Sequence, residues 1–132
     1  MATLEDELGT KLAATSTITS YVGSDIYFCD RAELLETDNI RYQIISPSND
    51  PVEFGDTYTA QPTVQIDAFS KDASRALAIG NAVVSALHGF RGTLATSIVV
   101  TLSTADGPIV SKDASDEQWY HAIVYWTVEY TR

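Results

Sequence analysis

The sequence predicts an α+β fold: a single domain over residues 1–132, with a mostly antiparallel sheet and two main helices packed on one face. A chain of this length forms one domain by default, and its 45% hydrophobic residues are enough to build a core. Apolar residues recur at helical spacing in two segments and alternate with period two in others. The resulting order of helix, three strands, helix and two strands is typical of an antiparallel sheet with helices on one side.

The first helix is predicted to start at Thr3, whose hydroxyl can cap it. Its first turn carries three carboxylates close to the positive end of the helix dipole: Glu5, Asp6 and Glu7. Its apolar stripe consists of Leu4, Leu8 and Leu12. Gly9 costs about 1 kcal/mol relative to Ala, so this helix needs tertiary packing to persist. A shorter turn continues to Tyr21 and stops at Gly23.

Three strands are predicted next. Residues 26–28 form a short one, and residues 40–45 alternate in a way that fits a strand with one fully buried face. Between Ser46 and Asp56, two prolines, a glycine and several short polar side chains predict a loop. The strand pattern resumes at Thr63–Phe69, where Val64, Ile66 and Ala68 share one face.

The second helix is predicted to be capped by Ser70 or Asp72, to run to about Leu87 and to end at Gly89. The residues on its inner face are mostly small, which allows the helix to approach a sheet closely. They are Ala73, Ala76, Leu77, Gly80, Val83, Val84 and Leu87.

The last two strands are Ser97–Ser103 and Trp119–Tyr130, joined by the polar segment Thr104–Gln118. The final strand has the strongest pattern of the chain. One face carries Tyr120, Ala122, Val124, Trp126, Val128 and Tyr130, and the other carries Trp119, His121, Ile123, Tyr125, Thr127 and Glu129. Its length and aromatic density predict a central or pairing strand.

Charge limits the possible partners. Eight bases against 18 acids give a net charge of −10, and residues 1–66 hold 11 of those acids. Binding to a phosphate backbone requires clustered Lys and Arg, so specific recognition of DNA or RNA is not expected, and neither is adhesion to anionic lipid. The N-terminus lacks the pattern of a signal peptide, and no apolar run approaches the ~20 residues that span a bilayer, so we expect a soluble protein.

The sequence contains no catalytic motif. A Ser–His–acid nucleophile needs a histidine held by a carboxylate, and neither His88 nor His121 has motif support. His88 is better interpreted as a partner for the last carbonyls of a helix, and His121 as a half-buried strand residue.

No cofactor or metal is expected either. Three neighbouring carboxylates lack the ordered spacing of a calcium loop and are interpreted as a solvated acidic segment: Asp113, Asp116 and Glu117. The segment Gly89–Thr93 matches no phosphate-binding motif and is expected to be a helix stop followed by a turn. The single Cys29 cannot form an internal disulfide, and no Cys/His spacing suggests zinc.

Four features together resemble a known family. They are the Leu4–Leu12 helix, the sequence from Val22 to Tyr27, the strand Val64–Ser70 followed by an alanine-rich helix from Ala73, and the closing strand His121–Tyr130. This arrangement resembles the tail-terminator or tail-completion proteins of long-tailed phages and gene-transfer particles, also described as head–tail joining proteins. None of the four is a catalytic signature, so the resemblance implies assembly and not catalysis.

The resemblance implies a hexameric ring that caps the tail tube, ends tube polymerisation and offers a docking face to the head connector or stopper protein. The implied partners are five further copies of the chain, the tail tube protein and that connector. The implied location is the head–tail junction of the virion, after assembly in the host cytoplasm. DNA would pass through the lumen, and acidic residues facing it would repel the DNA and not retain it.

The residues expected to make subunit or tube contacts come mainly from the predicted loop, which mixes polar and apolar side chains. They are Asp50, Pro51, Val52, Phe54, Tyr58 and, at the start of the last strand, Trp119. Two alternatives stay open. One is another neck or connector ring, which differs only in its partners. The other is a small ligand-binding or hydrolytic α+β domain that uses His121 with loop carboxylates, and it would need a deep pocket.

Overall fold

The computed structural model describes residues 4–28, 37–46, 59–60, 63–95, 99–104, 107–112 and 119–131. Three helices lie within these ranges: α1 (Leu4–Ala13), α2 (Ser16–Val22) and α3 (Ala73–Leu87). The strands are β1 (Ile26–Phe28), β2 (Asn39–Ser46), β3 (Thr59–Ala60), β4 (Thr63–Ser70), β5 (Arg91–Thr93), β6 (Val99–Ser103), β7 (Ile109–Lys112) and β8 (Tyr120–Thr131). None of the helices in the described ranges is long and apolar enough to cross a membrane.

All eight strands belong to one sheet, with the main order β1-β2-β4-β8-β6-β5. The 12-residue β8 pairs along both edges, with β4 and then β3 on one side and β7 and then β6 on the other. Every pairing is antiparallel except that of β1 with β2. The predicted α+β class and the predicted central position of the last strand are both confirmed.

The three helices pack on one face of the sheet, called here the inner face. This confirms the prediction of helices on one side and adds α2 to the two main helices. The core is formed by the leucine stripe of α1, the apolar side of α3 and the alternate residues of the strands that face them. Its largest fully buried side chains include Trp126, Leu12, Ile18, Ile40, Ile66, Ile79, Leu87 and Leu102.

Helix α3 approaches the sheet closely because Gly80 faces β8. A Cβ added at Gly80 would lie 3.0 Å from the Cβ of Ala122 and 3.0 Å from Pro108, tighter than most such contacts. The helix is capped by Asp72, whose Oδ1 accepts the backbone N–H of Ser74 at 2.9 Å. This decides between the two caps that the sequence allowed.

Three strands lie where the sequence predicted none: the two-residue β3, which pairs with the end of β8, and the longer β5 and β7. Strand β5 occupies part of the expected turn after α3, and β7 lies within the segment expected to be a polar connection. Both are short, and both are stabilised by pairing with distant partners, β5 with β6 and β7 with the start of β8. Local composition gives such strands little signal, because cross-strand pairing and not intrinsic propensity holds them in place.

The end of α3 also differs in one detail. Gly89 ends the helix with a φ of 79°, as predicted, and its N–H donates to the Leu102 carbonyl of β6. The ring of His88 does not bond the last carbonyls of the helix. Its Nδ1 instead accepts the backbone N–H of Thr104 at 3.3 Å, which ties the helix end to the residue after β6.

Gly9 has a packing reason for its place in α1. Tyr42 of β2 reaches the helix and donates its hydroxyl to the Glu5 carbonyl at 3.0 Å. A Cβ at position 9 would lie 2.3 Å from that hydroxyl oxygen and 3.3 Å from the ring carbon that bears it. Glycine at position 9 lowers the helix propensity of α1, but its lack of a side chain makes room for the buried Tyr42.

We expect Gly9→Ala to destabilise the protein by about 1–3 kcal/mol, although Ala is the better helix former. The added methyl displaces the Tyr42 hydroxyl from its hydrogen bond. Urea unfolding of a double-mutant cycle with Tyr42→Phe is the measurement, because Phe keeps the ring and removes the clashing oxygen. In the Tyr42→Phe background the same Gly9→Ala change should be neutral or stabilising. A stabilising effect of Gly9→Ala in the unaltered chain would contradict this explanation.

Candidate assembly surface

The sheet face opposite the helices, called here the outer face, is defined by strand register. Residues directly opposite each other in paired strands share a face, and alternate residues of one strand share it as well. The face comprises Tyr27, Asn39, Arg41, Gln43, Thr63, Gln65, Asp67, Phe69, Arg91, Thr93, Thr101, Ser103, Ile109, Ser111, His121, Ile123, Tyr125, Thr127 and Glu129. It contains the polar and aromatic face that the sequence predicted for the last strand.

A hydrogen-bonded network lies at the centre of this face around Asp67, which is only 1% exposed. Arg41 lies opposite it on β2 and donates from Nη2 to its Oδ2 at 2.9 Å. Gln65 donates from Nε2 to both carboxylate oxygens, at 2.8 and 2.9 Å, and accepts from Gln43 at 3.3 Å. The charge of this buried carboxylate is therefore compensated, and the network fixes the β2–β4 register.

An aromatic row continues from this network toward β7. The Arg41 guanidinium lies 5.3 Å from the centre of the Phe69 ring, and the Phe69 and His121 rings are 5.7 Å apart. The Nε2 of His121 in turn lies 2.9 Å from the hydroxyl oxygen of Ser111 on β7. These contacts connect β2, β4, β8 and β7 across the outer face.

The hydrolytic alternative requires a histidine within hydrogen-bond reach of a carboxylate. In the described ranges His121 contacts Ser111, its buried Nδ1 has no hydrogen-bond partner, and Asp67 is occupied by Arg41 and Gln65. The sequence assigned no particular loop carboxylate to that role, and the acidic segment with Asp113, Asp116 and Glu117 lies outside the described residues. The part of the chain that the structure describes thus provides no acid for His121.

Pocket and metal geometry agree with this result. A narrow gap in the core is lined by seven side chains, none of which is titratable: Leu8, Val64, Ile66, Leu87, Leu102, Trp126 and Val128. Among the residues with described positions, no three of His, Cys, Asp or Glu lie close enough to hold a metal ion.

Two side chains near β1 and β2, Tyr27 and Arg75, have a raised pKa. Asp25 accepts the Tyr27 hydroxyl at 2.9 Å and the Thr37 hydroxyl at 2.9 Å, and the first of these bonds raises the pKa of Tyr27. Asp38 accepts from Arg75 of α3 and raises the pKa of that guanidinium. Both carboxylates therefore hold neighbouring segments together.

The predicted contact residues fall mostly outside the described ranges. Those outside are Asp50, Pro51, Val52, Phe54 and Tyr58. Trp119 is described and is 4% exposed, with the Lys71 ammonium 5.4 Å from the centre of its ring. The role of all six in assembly stays a prediction.

A second set of surface residues consists of large apolar side chains with high exposure. Within the described ranges they are Phe28, Leu77, Ile109 and Tyr125. Ile109 and Tyr125 both lie on the outer face, where Ile109 is opposite Ile123 and Tyr125 is two residues further along β8. The sequence placed Tyr125 on this face but gave no reason to single out Ile109, whose one local signal is the Ile109-Val110 pair inside a polar segment.

The outer face is also formally neutral. Its charged residues are Arg41 and Arg91 against Asp67 and Glu129, in a chain whose net charge is −10. By contrast, the first turn of α1 carries three carboxylates. The face opposite the helices is thus a region where this acidic chain presents no net charge.

Comparison with known proteins identifies relatives over nearly the whole chain. The family model described as tail completion protein gp17 matches residues 6–128. A solved chain in the virion of a native gene transfer agent particle has a TM-score of 0.74 at 14% identity, covering 98% of this chain and 95% of that one. A second solved chain has a TM-score of 0.60 at 9% identity, with coverage of 98% and 96%. None of the curated proteins is significantly similar in sequence.

The Asp67 network makes a stability prediction. Asp67→Asn leaves Arg41 without its charged partner on a largely buried site, so we expect a loss of about 2–4 kcal/mol. Gln43→Ala, which removes a peripheral amide from the same face, is the matched control and should cost less than about 1 kcal/mol. Chemical denaturation of both variants tests the difference, and equal losses would show that the network does not depend on the Asp67 charge.

Proposed function

This chain belongs to the tail completion protein gp17 family, and from that premise we propose that it caps the tail tube as a ring, ends tube polymerisation and presents the head-docking interface. Family membership makes it a structural protein of virion tail assembly, located in the tail. The family match over residues 6–128 is the observation that carries the proposal, because it spans most of the given sequence. The gene transfer agent chain of the same fold is consistent with it.

The proposed mechanism is assembly by one domain, without catalysis, metal or cofactor. Its partners would be further copies of this chain in a hexameric ring, the tail tube protein and the head connector or stopper protein, brought together in the host cytoplasm. The outer face supports this mechanism, since its buried carboxylate is already paired and its apolar Ile109 and Tyr125 are exposed. Another connector ring of the neck would use the same surfaces with different neighbours.

Charge supports a role as a conduit. A ring of six such chains would multiply the −10 of each copy, and the acidic residues that face the lumen would repel the phosphates of passing DNA. Cation–π contacts engage four of the basic side chains in the described ranges, Lys11, Arg41, Lys71 and Arg75, so these cations serve the fold. Specific binding of nucleic acid is not part of the proposal.

We also propose that residues 46–58 make tube or subunit contacts, with Phe54 as the anchor and Asp50, Pro51, Val52 and Tyr58 around it. The argument is compositional: apolar Val52, Phe54 and Tyr58 stand among proline, glycine and acidic residues. Burial of Phe54 in a contact would contribute on the order of 1–3 kcal/mol. Trp119 stays part of the same proposal and is 4% exposed in the single chain.

Deletion of the coding sequence tests the function directly. We expect tails of variable, excessive length that carry no heads, because nothing then stops tube growth or offers the docking face. Electron microscopy of lysates measures tail length and head joining, and expression of the unaltered chain in trans is the control that should restore both. Tails of normal length joined to heads in the deletion would refute the proposal.

Substitution of Phe54 tests the proposed anchor separately. Phe54→Ala should leave the folded chain intact and reduce head joining or length control, because a buried contact is lost at the assembly stage. Hydrogen exchange of residues 46–58, measured on the free chain and on tail-bound copies, should show protection on binding. Equal exchange in both states, with normal tails from the variant, would exclude a role for this segment.

A further inference from the structure

We propose that the apolar patch of Ile109, Ile123 and Tyr125 on the outer face is the surface on which a second copy of this chain docks. The inference rests on the proposed ring and deepens it, since it assigns the contact between copies to particular residues. The docked partner is this chain itself, and not the tail tube or the head connector.

The patch is compact and has a polar border. Ile109 lies directly opposite Ile123 across the β7–β8 pair, and Tyr125 is the next residue of β8 on the same face. Ile109 is 54% exposed and Tyr125 is 44% exposed, so both present large apolar area to solvent. On β4, Gln65 lies opposite Tyr125 and Asp67 opposite Ile123. An apolar centre beside satisfied polar groups is the arrangement found at protein interfaces, where tyrosine often contributes most.

The backbone under the patch is held rigidly. Strand β8 is paired on both edges at Ile123, by β4 on one side and by β7 on the other. The Thr104 hydroxyl donates to the Tyr125 carbonyl at 2.7 Å, which adds a further restraint. A surface that is ordered before binding loses little conformational entropy when a partner docks.

The charge of the outer face indicates which partner docks on the patch. Two copies of a −10 chain repel each other, so their contact costs less where one of the two surfaces that meet carries no net charge, and the outer face balances two arginines with two carboxylates. A basic partner would gain more beside exposed carboxylates, such as Asp6 in the first turn of α1, than on the neutral face. The exposed apolar patch on the neutral face therefore fits a second acidic copy. Association through it should strengthen with salt, which screens the remaining repulsion.

Photo-crosslinking identifies the occupant. Tyr125 is replaced by the photoreactive phenylalanine analogue p-benzoylphenylalanine in the full-length chain, and tails assembled with it are irradiated. The expected product is an adduct with the mass of two copies of the chain. An adduct to the tube protein or to the connector, or irradiation without any adduct, would overturn the assignment.

Substitutions measure the contribution of the patch. Tyr125→Glu and Ile109→Glu should each weaken association between copies at least about tenfold, as loss of an interface hot spot does. Leu77→Glu is the matched control, because Leu77 is 40% exposed on α3, on the other side of the sheet, and its change should leave association close to that of the unaltered chain. Mass photometry and sedimentation at several salt concentrations provide the dissociation constants, and copies per tail are counted in purified tails.

Thermal unfolding separates loss of docking from loss of folding, and Tyr125→Ser serves as a milder variant if the glutamate variant unfolds. Patch variants that associate like the unaltered chain would overturn the inference. If such variants also restore tails of normal length in the deletion background, the inference fails while the proposed function stands. If the unaltered chain itself does not restore tail length, the proposed function fails and the interface fails with it.

Discussion

The pairing of β8 along both of its edges is the constraint on which the rest of this structure depends. Four strands bond directly to it, and β2 and β5 reach it through β4 and β6. Its inner side chains, led by Trp126 at 1% exposure, form the floor on which the helices pack. Because a strand in this position must satisfy backbone groups on both sides, any change that displaces β8 affects both faces of the sheet.

The two faces of β8 serve different ends. Helices α3 and α1 cover the inner face. Gly80 lets α3 approach the sheet closely, and Gly9 leaves space beside α1 for Tyr42. The outer face has its buried carboxylate paired with Arg41 and keeps Ile109 and Tyr125 in solvent. One strand therefore contributes both to the core of the subunit and to the surface proposed for assembly.

Much of this arrangement could be predicted from the sequence, and the failures share one cause. The two-faced pattern of β8 and the strand at Thr63–Phe69 have long local periodicities, and both are confirmed. The predicted inner face of α3 is confirmed only in part, because Leu77 is 40% exposed and the fully buried Ile79 was not assigned to that face. Strands β5 and β7 and the parallel pairing of β1 depend on partners far along the chain, which local patterns do not encode. Ile109 was missed for the same reason, since its place beside Ile123 comes from the β7–β8 register. The family resemblance, spread over the whole chain, is confirmed because it did not depend on any single element.

The two strands at the ends of the sheet, β1 and β5, are three residues each. Such short ends offer few unpaired N–H and C=O groups on which a foreign strand could lengthen the sheet, which is a common protection against amyloid-like stacking. In a crowded cell that fills with newly made virion components, the chain can therefore accumulate before it is used with little tendency to form runaway fibres.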